Sequence, residues 1–396
     1  MSRPASTRAS LIFLALTLLG FLAASSAPTP LYHLYQEQLQ FSPAVLTLIF
    51  GVYAFSLLAA LLTVGSLSDY LGRKPVIFVA LLLNMLAMLL FISADSVAWL
   101  ISARLIQGFA TGMATSVLGA ALLDFDRRQG PLITSVAPLL GMACGALGCG
   151  LLAEFAPLPL QLTYWLLLGL FLGQAVYLWR LAESVSPQPG AWQSLRPTLH
   201  VPPQARQALW RVLPLDLAAW AVGGFYLSLA PSLVLAATGS TSNLIGGALV
   251  AVLTLSGALS IYLLRNQEAD KMLRPSASLL VIGLVLVLVA VHGASLPLFF
   301  VGTLVTGGGF GAGFLGALRS IMPLALPHER AGLMSAFYVL SYLAFSLPSL
   351  LAGNLTRVFG LIPTTDGYGA VLIVLCVVAL LGLRQSMRSV SDGARL

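Results

Sequence analysis

The chain has 396 residues, of which 58% are hydrophobic and only 8% are charged, and its mean hydropathy is +0.94. A soluble domain carries about 25% charged residues, so this composition excludes an ordinary water-soluble protein. Instead, apolar runs of about 20 residues recur along the chain, the length at which a helix crosses a bilayer core of about 30 Å. Only helices and closed barrels satisfy their backbone groups in lipid, and barrel strands would be shorter and alternating. The sequence therefore predicts an all-α membrane protein.

The apolar runs predict twelve membrane-spanning helices. In chain order they fall at about 9–30, 43–66, 75–94, 97–123, 131–155, 159–181, 208–237, 242–264, 275–292, 295–319, 332–357 and 366–384. Arg3 and Arg8 precede the first run, as in a signal peptide, but that run is longer than a signal core. We therefore expect it to be retained as the first helix.

The basic residues predict the orientation of the chain. With the N-terminus in the cytoplasm, the cytoplasmic segments hold all of the 20 Lys and Arg residues except Arg357, which falls outside, and Arg104, which falls within a span. Such an excess is the usual signature of the cytoplasmic side. We expect a multi-pass protein of the inner membrane, with both termini cytoplasmic, the lipid bilayer around it and no nucleic-acid partner.

A polar stretch at 183–206 divides the predicted spans into six and six. It predicts a cytoplasmic linker between an N-terminal six-helix bundle at 1–182 and a C-terminal one at 207–396. A short internal echo supports duplication, because Val117-Leu118-Gly119-Ala120 is similar to Phe314-Leu315-Gly316-Ala317, 197 residues later. Parallel halves of this kind place a substrate site near the bilayer midplane.

Helix 1 ends in a segment that two prolines interrupt. Pro28 and Pro30 remove helical hydrogen bonds just before Tyr32 and His33. Broken helices line the solute route in many transporters. His33 and Glu37 are candidates for proton coupling, since histidine is the side chain suited to proton exchange near neutral pH. Packing or a place in an interfacial aromatic belt is the alternative interpretation of Tyr32.

The loop between helices 2 and 3 reads Gly65-Ser66-Leu67-Ser68-Asp69-Tyr70-Leu71-Gly72-Arg73-Lys74-Pro75. Gly72 permits a tight turn, and Gly65 permits a close helix approach. In position, spacing and residue types the loop resembles the signature loop of the major facilitator superfamily, including Leu67, Asp69, Arg73 and Lys74. The resemblance implies two pseudo-symmetric six-helix bundles and alternating access driven by an ion gradient, most often of protons.

The same resemblance implies the partners of the loop. Asp69 would face the positive N-terminal end of helix 11 near Gly332. Arg73 would pair with Asp124, at the cytoplasmic end of helix 4, and together these groups would latch the outward-open state. A generic basic loop would account for Arg73 and Lys74, but not for the glycines and Asp69.

Helix 4 carries a charged side chain inside a predicted span. At about 100° per residue Arg104, Gln107 and Thr111 share one face, beside a strip of small residues that includes Gly108 and Gly112. The pattern is similar to the superfamily's helix 4 motif. A buried cation is a functional hypothesis by default, for binding a polar or anionic solute or for steering proton transfer. A structural arginine bound to carbonyls of helix 1 or 2 is the alternative.

Helix 5 is rich in glycine, with Gly141, Gly145 and Gly148 at helical spacing. It partly resembles the helix 5 motif of the drug:proton antiporter branch, which implies export. Ala146 and Cys149 depart from that motif. Ordinary close packing against helix 8 is the alternative.

The second half offers one carboxylate within a predicted span, Asp216. A buried acid can carry a proton through a conformational cycle. Alternatively, helix 7 starts at Pro214 and Asp216 lies ionised at its N-terminus. Aromatic residues of helices 7 and 11, among them Trp220, Tyr226 and Tyr338, predict a cavity for amphipathic solutes, with lipid-facing belts as the alternative.

The sequence lacks a nucleotide-binding loop of the Gly-x-x-x-x-Gly-Lys-Ser/Thr type, a catalytic triad and a Cys/His metal cluster. We therefore expect no enzyme activity, cofactor or metal, and interpret Cys144, Cys149 and Cys376 as packing residues. The predicted function is proton-coupled export of small amphipathic or drug-like compounds by a functional monomer. The alternatives are proton-coupled uptake of a small organic solute and a membrane sensor or scaffold that does not transport.

Overall fold

The structure, a computed structural model, describes residues 7–326 and 328–393, with side chains described up to residue 383, and every element in this part is helical. In chain order the α-helices are α1 (Thr7–Ser26), α2 (Tyr32–Leu39), α3 (Pro43–Thr63), α4 (Ser68–Leu71), α5 (Arg73–Ile92), α6 (Val97–Phe125), α7 (Gly130–Phe155), α8 (Leu162–Leu178), α9 (Ala191–Ser194), α10 (Pro203–Ser228), α11 (Ala230–Thr238), α12 (Asn243–Leu264), α13 (Ala269–His292), α14 (Leu296–Ile321), α15 (Arg330–Phe359) and α16 (Leu361–Gly393). Short 3-10 helices occupy Thr29–Leu31 and Met322–Leu324.

Within the described ranges, ten helical stretches are long and apolar enough to cross a membrane, and α10 with α11 forms an eleventh span that is bent by 66°. The apolar helix α8 has 17 residues. At about 1.5 Å per residue it lies at the short end of what crosses the hydrocarbon core. The all-α membrane fold is confirmed, and the twelve predicted spans are consistent with this count.

The helices gather into two compact units. The first comprises Met1–Thr198 together with Ser242–Ala251, and the second comprises Leu199–Thr241 together with Val252–Leu396. The stretch predicted as a linker is thereby divided, with 183–198 in the first unit and 199–206 in the second. Arg3 and Arg395, which contribute to the predicted orientation, lie outside the described residues.

In the first unit α6 packs against α3, α5 and α1, and α1 packs against α7. In lipid, helices associate through close packing of small residues, since hydrophobic exclusion gives little drive between them. The contact of α6 with α3 shows this directly. A Cβ added at Gly108 would lie 2.3 Å from the Tyr53 carbonyl oxygen, and one at Gly112 would lie 2.4 Å from that of Leu57.

In the second unit α10 packs against α14, α15 and α16, and α13 packs along α14. The contact of α10 with α15 is again a backbone approach. A Cβ at Gly224 would lie 2.0 Å from the Phe345 carbonyl oxygen. Such an approach places the side chains of α10 that precede this point directly against α15.

Several predicted helix boundaries differ from the structure, most informatively those of the first, sixth and seventh helices. The first helix stops at Ser26 and continues as the 3-10 turn and α2 to Leu39, because Pro28 cannot donate a helical hydrogen bond. The sixth is α8, which is shorter than predicted. The seventh begins at Pro203 and runs through Pro214 without interruption, so the alternative in which it starts at Pro214 is wrong.

Candidate functional site

The loop between α3 and α5 holds a charge cluster of Asp69, Arg73 and Asp124, called here the loop cluster. Gly72 adopts a φ of +95°, a left-handed conformation that glycine tolerates, and α5 starts directly after it. Arg73 Nε donates to Asp124 Oδ2 at 2.9 Å, and its Nη1 donates to Asp69 Oδ1. Nη1 also donates to Ser68 Oγ at 2.7 Å. One guanidinium, with 9% of its side chain exposed, thus bridges two carboxylates.

Sequence reasoning missed the side chain that fixes the start of α5, which is Glu183. Its two carboxylate oxygens accept hydrogen bonds from the backbone N–H groups of Arg73, at 2.8 Å, and Lys74, at 2.9 Å. A carboxylate at this position satisfies free N–H groups and favours the positive end of the helix dipole. The available signal was modest: Glu183 is the only acid between residues 155 and 215.

The residues that follow Glu183 continue the same contacts. Ser184 Oγ donates to Asp124 Oδ2 at 2.9 Å, and Gln188 Nε2 donates to the Asp69 carbonyl at 2.9 Å. The segment predicted as part of a linker therefore lies along the loop, where it hydrogen-bonds to the side chain of Asp124 and to the backbone carbonyl of Asp69.

The remaining predicted loop residues frame the cluster. Gly65 and Leu67 are half-buried at the turn after α3. Lys74 Nζ lies 5.6 Å from the ring centroid of Trp179, within range of a cation–π contact. Lys74 makes no ion pair among the described residues, so it adds positive charge to the loop without bonding to the loop cluster.

The break in the first span creates acceptors for helix 4. Pro28 has no N–H to offer the Ala24 carbonyl, four residues earlier. That oxygen instead accepts from Gln107 Nε2 at 2.9 Å, and the Ser25 carbonyl accepts from Arg104 Nη1 at 2.8 Å. The contact with Ser25 matches the alternative interpretation of Arg104, an arginine bound to a carbonyl of helix 1. The contact of Gln107 with Ala24 was not predicted from the sequence.

Arg104 is 1% exposed, and its hydrogen-bond acceptors are groups of the protein. Besides Ser25, its Nη1 donates to Gln107 Oε1 at 2.7 Å, and its Nη2 donates to Tyr32 Oη at 2.6 Å. Its guanidinium carbon lies 4.7 Å from the Tyr53 ring centroid and 5.7 Å from that of Tyr32. No carboxylate pairs with it among the described residues. Only Nε lacks an acceptor.

The other polar candidates of the first unit bond locally. Thr111 Oγ1 donates to the Gln107 carbonyl at 2.8 Å, within its own helix. His33 Nε2 lies 3.1 Å from Glu37 Oε1, a pair one helical turn apart. The structure therefore brings Tyr32 and Gln107 to Arg104, while the His33 ring pairs with Glu37.

The glycines of helix 5 do not all pack in the same way. A Cβ at Gly141 would lie 2.4 Å from the Leu19 carbonyl oxygen, and one at Gly145 would lie 2.0 Å from that of Ala23, so both face α1. A Cβ at Gly148 would meet no atom within 4 Å. Gly148 therefore makes no close helix contact, contrary to the sequence prediction.

In the second unit Asp216 lies well inside α10 and is 0% exposed. Its Oδ2 accepts from Ser341 Oγ of α15 at 2.8 Å, while the same hydroxyl also lies 3.0 Å from the Phe337 carbonyl. Its Oδ1 has no hydrogen-bond partner. The carboxyl group is thus buried with its bonding capacity only partly used, an arrangement suited to taking up and releasing a proton.

Trp220, one turn after Asp216, belongs to a group of six rings on α10, α14 and α15, called here the aromatic cluster: Trp220, Phe314, Phe337, Tyr338, Tyr342 and Phe345. Trp220 lies 4.8 Å from Tyr342 and 5.7 Å from Phe314, centroid to centroid. Its indole Nε1 is buried and has no hydrogen-bond partner. Tyr226 is separate from the cluster, and its Oη lies 2.8 Å from Thr303 Oγ1.

The described residues contain no group of three or more His, Cys, Asp or Glu side chains that could hold a metal ion.

Solved structures share this fold. The human organic anion transporter MFSD10 superposes with a TM-score of 0.67 at 18% identity, over 95% of this chain and 100% of that one. The nucleoside transporter NupG gives a TM-score of 0.72 at 13% identity, over 95% and 100% of the two chains. A bacterial homologue of the human lysosomal transporter Spinster gives 0.73 at 13%, over 96% and 98%. At these identities the likeness concerns the fold alone.

Curated relatives match a shorter stretch. The multidrug resistance protein MdtL of Salmonella typhimurium is 36% identical over 114 residues, which is 27% of this chain and 29% of the relative. MdtL of Klebsiella pneumoniae is 33% identical over 119 residues, 28% and 30% of the two chains. The matches thus span less than a third of the relatives' length.

The family comparison covers more of the chain. The sequence model of the Major Facilitator Superfamily matches residues 12–266, which is more than half of the chain. The matched range includes the loop cluster, the Arg104 site and Asp216. Together with the membrane-spanning helices and the transporter folds above, this match establishes that the chain is a multi-pass membrane transporter of the Major Facilitator Superfamily.

Proposed function

We propose that this transporter exports small amphipathic or drug-like compounds in exchange for protons, by alternating access. The observation that carries the proposal is Asp216, an acid that is 0% exposed inside a membrane-spanning helix and has one carboxylate oxygen without a partner. An ionisable side chain in such a position is expensive to keep and marks proton or substrate routes.

The surroundings of Asp216 support a proton carrier. Its ionised form gives up hydration on burial and receives in return the Ser341 hydroxyl, which it shares with the Phe337 carbonyl, and an interaction with the Trp220 side chain. No basic side chain forms an ion pair with it in the described part of the chain. Binding a proton removes the buried charge, and releasing it demands a change in the surroundings of the carboxylate. Protonation and conformation are therefore linked at this residue.

The loop cluster supports a conformational cycle. Arg73 bridges Asp69 and Asp124 in a partly buried network, which would have to rearrange when the loop moves. Charge networks of this kind have discrete arrangements, as gating elements require. We propose the loop residues Gly65, Leu67, Asp69, Gly72, Arg73, Lys74 and Asp124 as the gating element.

The direction of transport rests on similarity and on charge. The relatives named multidrug resistance proteins match 27% of this chain, in agreement with export of drug-like compounds. The distribution of Lys and Arg supports an inner-membrane protein with both termini in the cytoplasm. We propose that the monomer is the working unit, as the family resemblance implies.

The test is solute-driven proton movement in proteoliposomes that contain purified protein and an internal pH dye. Cationic, anionic and neutral amphiphiles are added under an imposed pH gradient to wild type and to Asp216→Asn. We expect at least one compound to release protons in wild type and none to do so in the variant. Solute accumulation that runs with the proton gradient would instead establish uptake, and silence across the panel with folded protein would overturn drug export.

A further inference from the structure

We infer that the first unit binds an anionic phospholipid at the end that carries the loop cluster, through Arg8, Lys74 and Arg180. These basic residues come from α1, from α5 and from the segment directly after α8. The phosphate group of the lipid would pair with the cations, and its acyl chains would follow the exposed apolar faces of α1 and α8. The site concerns the lipid around the transporter and not the transported solute.

Aromatic contacts place two of the cations at the end of α8. Lys74 Nζ lies 5.6 Å from the ring centroid of Trp179, and Cζ of Arg180 lies 5.7 Å from that of Tyr177. Trp179 is well exposed, as tryptophan is where a helix leaves the hydrocarbon for the head-group region. The two cations therefore lie at the depth where lipid phosphate groups lie.

The third cation comes from α1, which runs antiparallel to α8. The ring centroids of Phe13 and Tyr177 are 4.9 Å apart, and Gln174 Nε2 donates to the Leu16 carbonyl at 3.3 Å. Arg8 lies five residues before Phe13, about 7 Å nearer the start of the helix. The start of α1 and the end of α8 are thus neighbours, and Arg8 lies at the same end of the unit as Arg180.

The three cations are not neutralised by the protein. Arg8 and Arg180 are exposed and Lys74 is half-buried, and none of them forms an ion pair in the described part of the chain. The acid nearest to Arg180 in sequence is Glu183, whose carboxylate accepts from the backbone N–H groups of Arg73 and Lys74. Basic clusters at the ends of membrane-spanning helices attract anionic lipid head groups.

The outer faces of both helices are apolar next to the cations. On α1, Ile12 and Leu16 follow Arg8 at intervals of four residues, so the three share one face. On α8, Leu172 and Val176 precede the cationic end. All four of these apolar side chains are more than half exposed. Each helix thus offers an apolar surface for an acyl chain that starts at a basic residue.

The outer face of α8 also has room for a chain. Gly169 and Gly173 are exposed and lie one turn apart, and a Cβ added at either would meet no atom within 4 Å. The missing side chains leave a notch in the helix surface beside Leu172 and Val176. A free phosphate ion would use only the cations, whereas a phospholipid would use the cations and the notch.

The experiment is native mass spectrometry of the purified full-length protein in a nonionic detergent. The protein is incubated with equal amounts of dioleoylphosphatidylglycerol and dioleoylphosphatidylcholine, which have the same chains but differ in net charge. We expect wild type to retain phosphatidylglycerol in preference, and added NaCl to reduce the preference by screening. Glycerol 1-phosphate, which has no acyl chains, should not displace the bound lipid.

Charge variants locate the head group. Arg8→Gln and Arg180→Gln should each lower the apparent affinity for phosphatidylglycerol about fivefold, the factor expected for one basic residue next to an anionic lipid. Arg127→Gln is the matched control, because Arg127 is an exposed arginine after α6 that forms no ion pair among the described residues. It removes the same charge from the protein and should leave lipid binding unchanged.

Glycine variants locate the acyl chain. Gly173→Leu keeps every charge but fills the notch, so it should lower the affinity for phosphatidylglycerol. Gly382→Leu, in α16, is the control, because Gly382 is also exposed and a Cβ there would meet no atom within 4 Å. It should leave lipid binding unchanged. Unfolding temperatures in lipid-free detergent show that each variant is folded.

Equal binding of phosphatidylglycerol by Arg180→Gln and Arg127→Gln would overturn the inference, as would equal retention of the two lipids by wild type. Displacement of the lipid by glycerol 1-phosphate would indicate a site for a phosphate group alone and would overturn it as well. An equal loss of affinity in Gly173→Leu and Gly382→Leu would remove the proposed path of the acyl chain and with it the lipid site.

Discussion

Arg104 and Asp216 are both ionisable side chains buried in membrane-spanning helices, but they differ in how many hydrogen-bond partners surround them. Arg104 uses three of its hydrogen-bond donors on fixed acceptors and lies over two tyrosine rings. Asp216 shares one serine hydroxyl with a backbone carbonyl and keeps one oxygen without a partner. A guanidinium has five N–H groups, and three of those of Arg104 have acceptors.

The difference separates two uses of a buried charge. The hydrogen bonds of Arg104 to the Ser25 carbonyl and to Tyr32 tie α6 to the first span. An acid with few partners can lose its charge by binding a proton. We therefore propose that Arg104 holds the first unit together and that Asp216 exchanges a proton, and the substitutions below test this proposal or set a scale for it.

The largest effect is expected for Arg104→Ala. It removes three charge-assisted hydrogen bonds and leaves a cavity, which together should lower the free energy of unfolding by about 3 kcal/mol. Thermal unfolding in detergent measures the loss. Arg104→Lys keeps the charge but lacks the planar guanidinium. Its free energy of unfolding should therefore lie between that of the wild type and that of Arg104→Ala. An unfolding temperature unchanged in the alanine variant would refute the structural assignment.

The next effect is expected for Gly108→Ala, which places a Cβ 2.3 Å from the Tyr53 carbonyl oxygen. The backbones of α6 and α3 must separate, at about 1–3 kcal/mol, and the ring of Tyr53 then moves away from Arg104. Gly148→Ala is the matched control, because its Cβ would meet open space, and should be neutral or slightly stabilising. An equal decrease in the free energy of unfolding for both variants would contradict the close packing at Gly108.

A smaller effect is expected for Glu183→Gln, a charge at the membrane surface and not inside it. The change weakens two hydrogen bonds to the start of α5 and removes a charge that favours the helix dipole, worth about 0.5–1 kcal/mol. Hydrogen exchange at the amides of Arg73 and Lys74 should accelerate. Glu268→Gln is the control, because that carboxylate is 78% exposed and pairs only with Lys271. Identical exchange in both variants would exclude the capping role.

The smallest change in stability is expected for Asp216→Asn. The amide keeps an acceptor for Ser341 and removes a buried charge, so the free energy of unfolding should change by less than about 1 kcal/mol. Proton-coupled flux in proteoliposomes should nevertheless disappear. If Asp216→Asn destabilised the protein as much as Arg104→Ala does, both buried charges would be structural and the proposed difference between them would be wrong.

The sequence by itself determined the membrane fold and the positions of most spans. Lipid offers no hydrogen-bond partners, so an apolar run of about 20 residues has few options besides a helix. The turn that contains Asp69, Gly72 and Arg73 could also be predicted from the sequence, since a glycine that permits a positive φ and charges at fixed spacing are local features. The proximity of Arg73 to Asp124 followed from family resemblance, and the structure shows the contact.

Only the tertiary structure decided which groups meet across distant parts of the chain. The Ala24 carbonyl becomes an acceptor because of Pro28, but nothing in the sequence names Gln107 as its donor. The residues around Pro214 allowed two starts for the seventh helix, and in the structure α10 starts at Pro203 and buries Asp216, which bonds to Ser341 of α15. The sequence indicated only that Glu183 belongs to a linker, whereas in the structure its carboxylate accepts hydrogen bonds from the first backbone N–H groups of α5. Each of these outcomes depends on contacts between residues far apart in sequence, which local patterns do not encode.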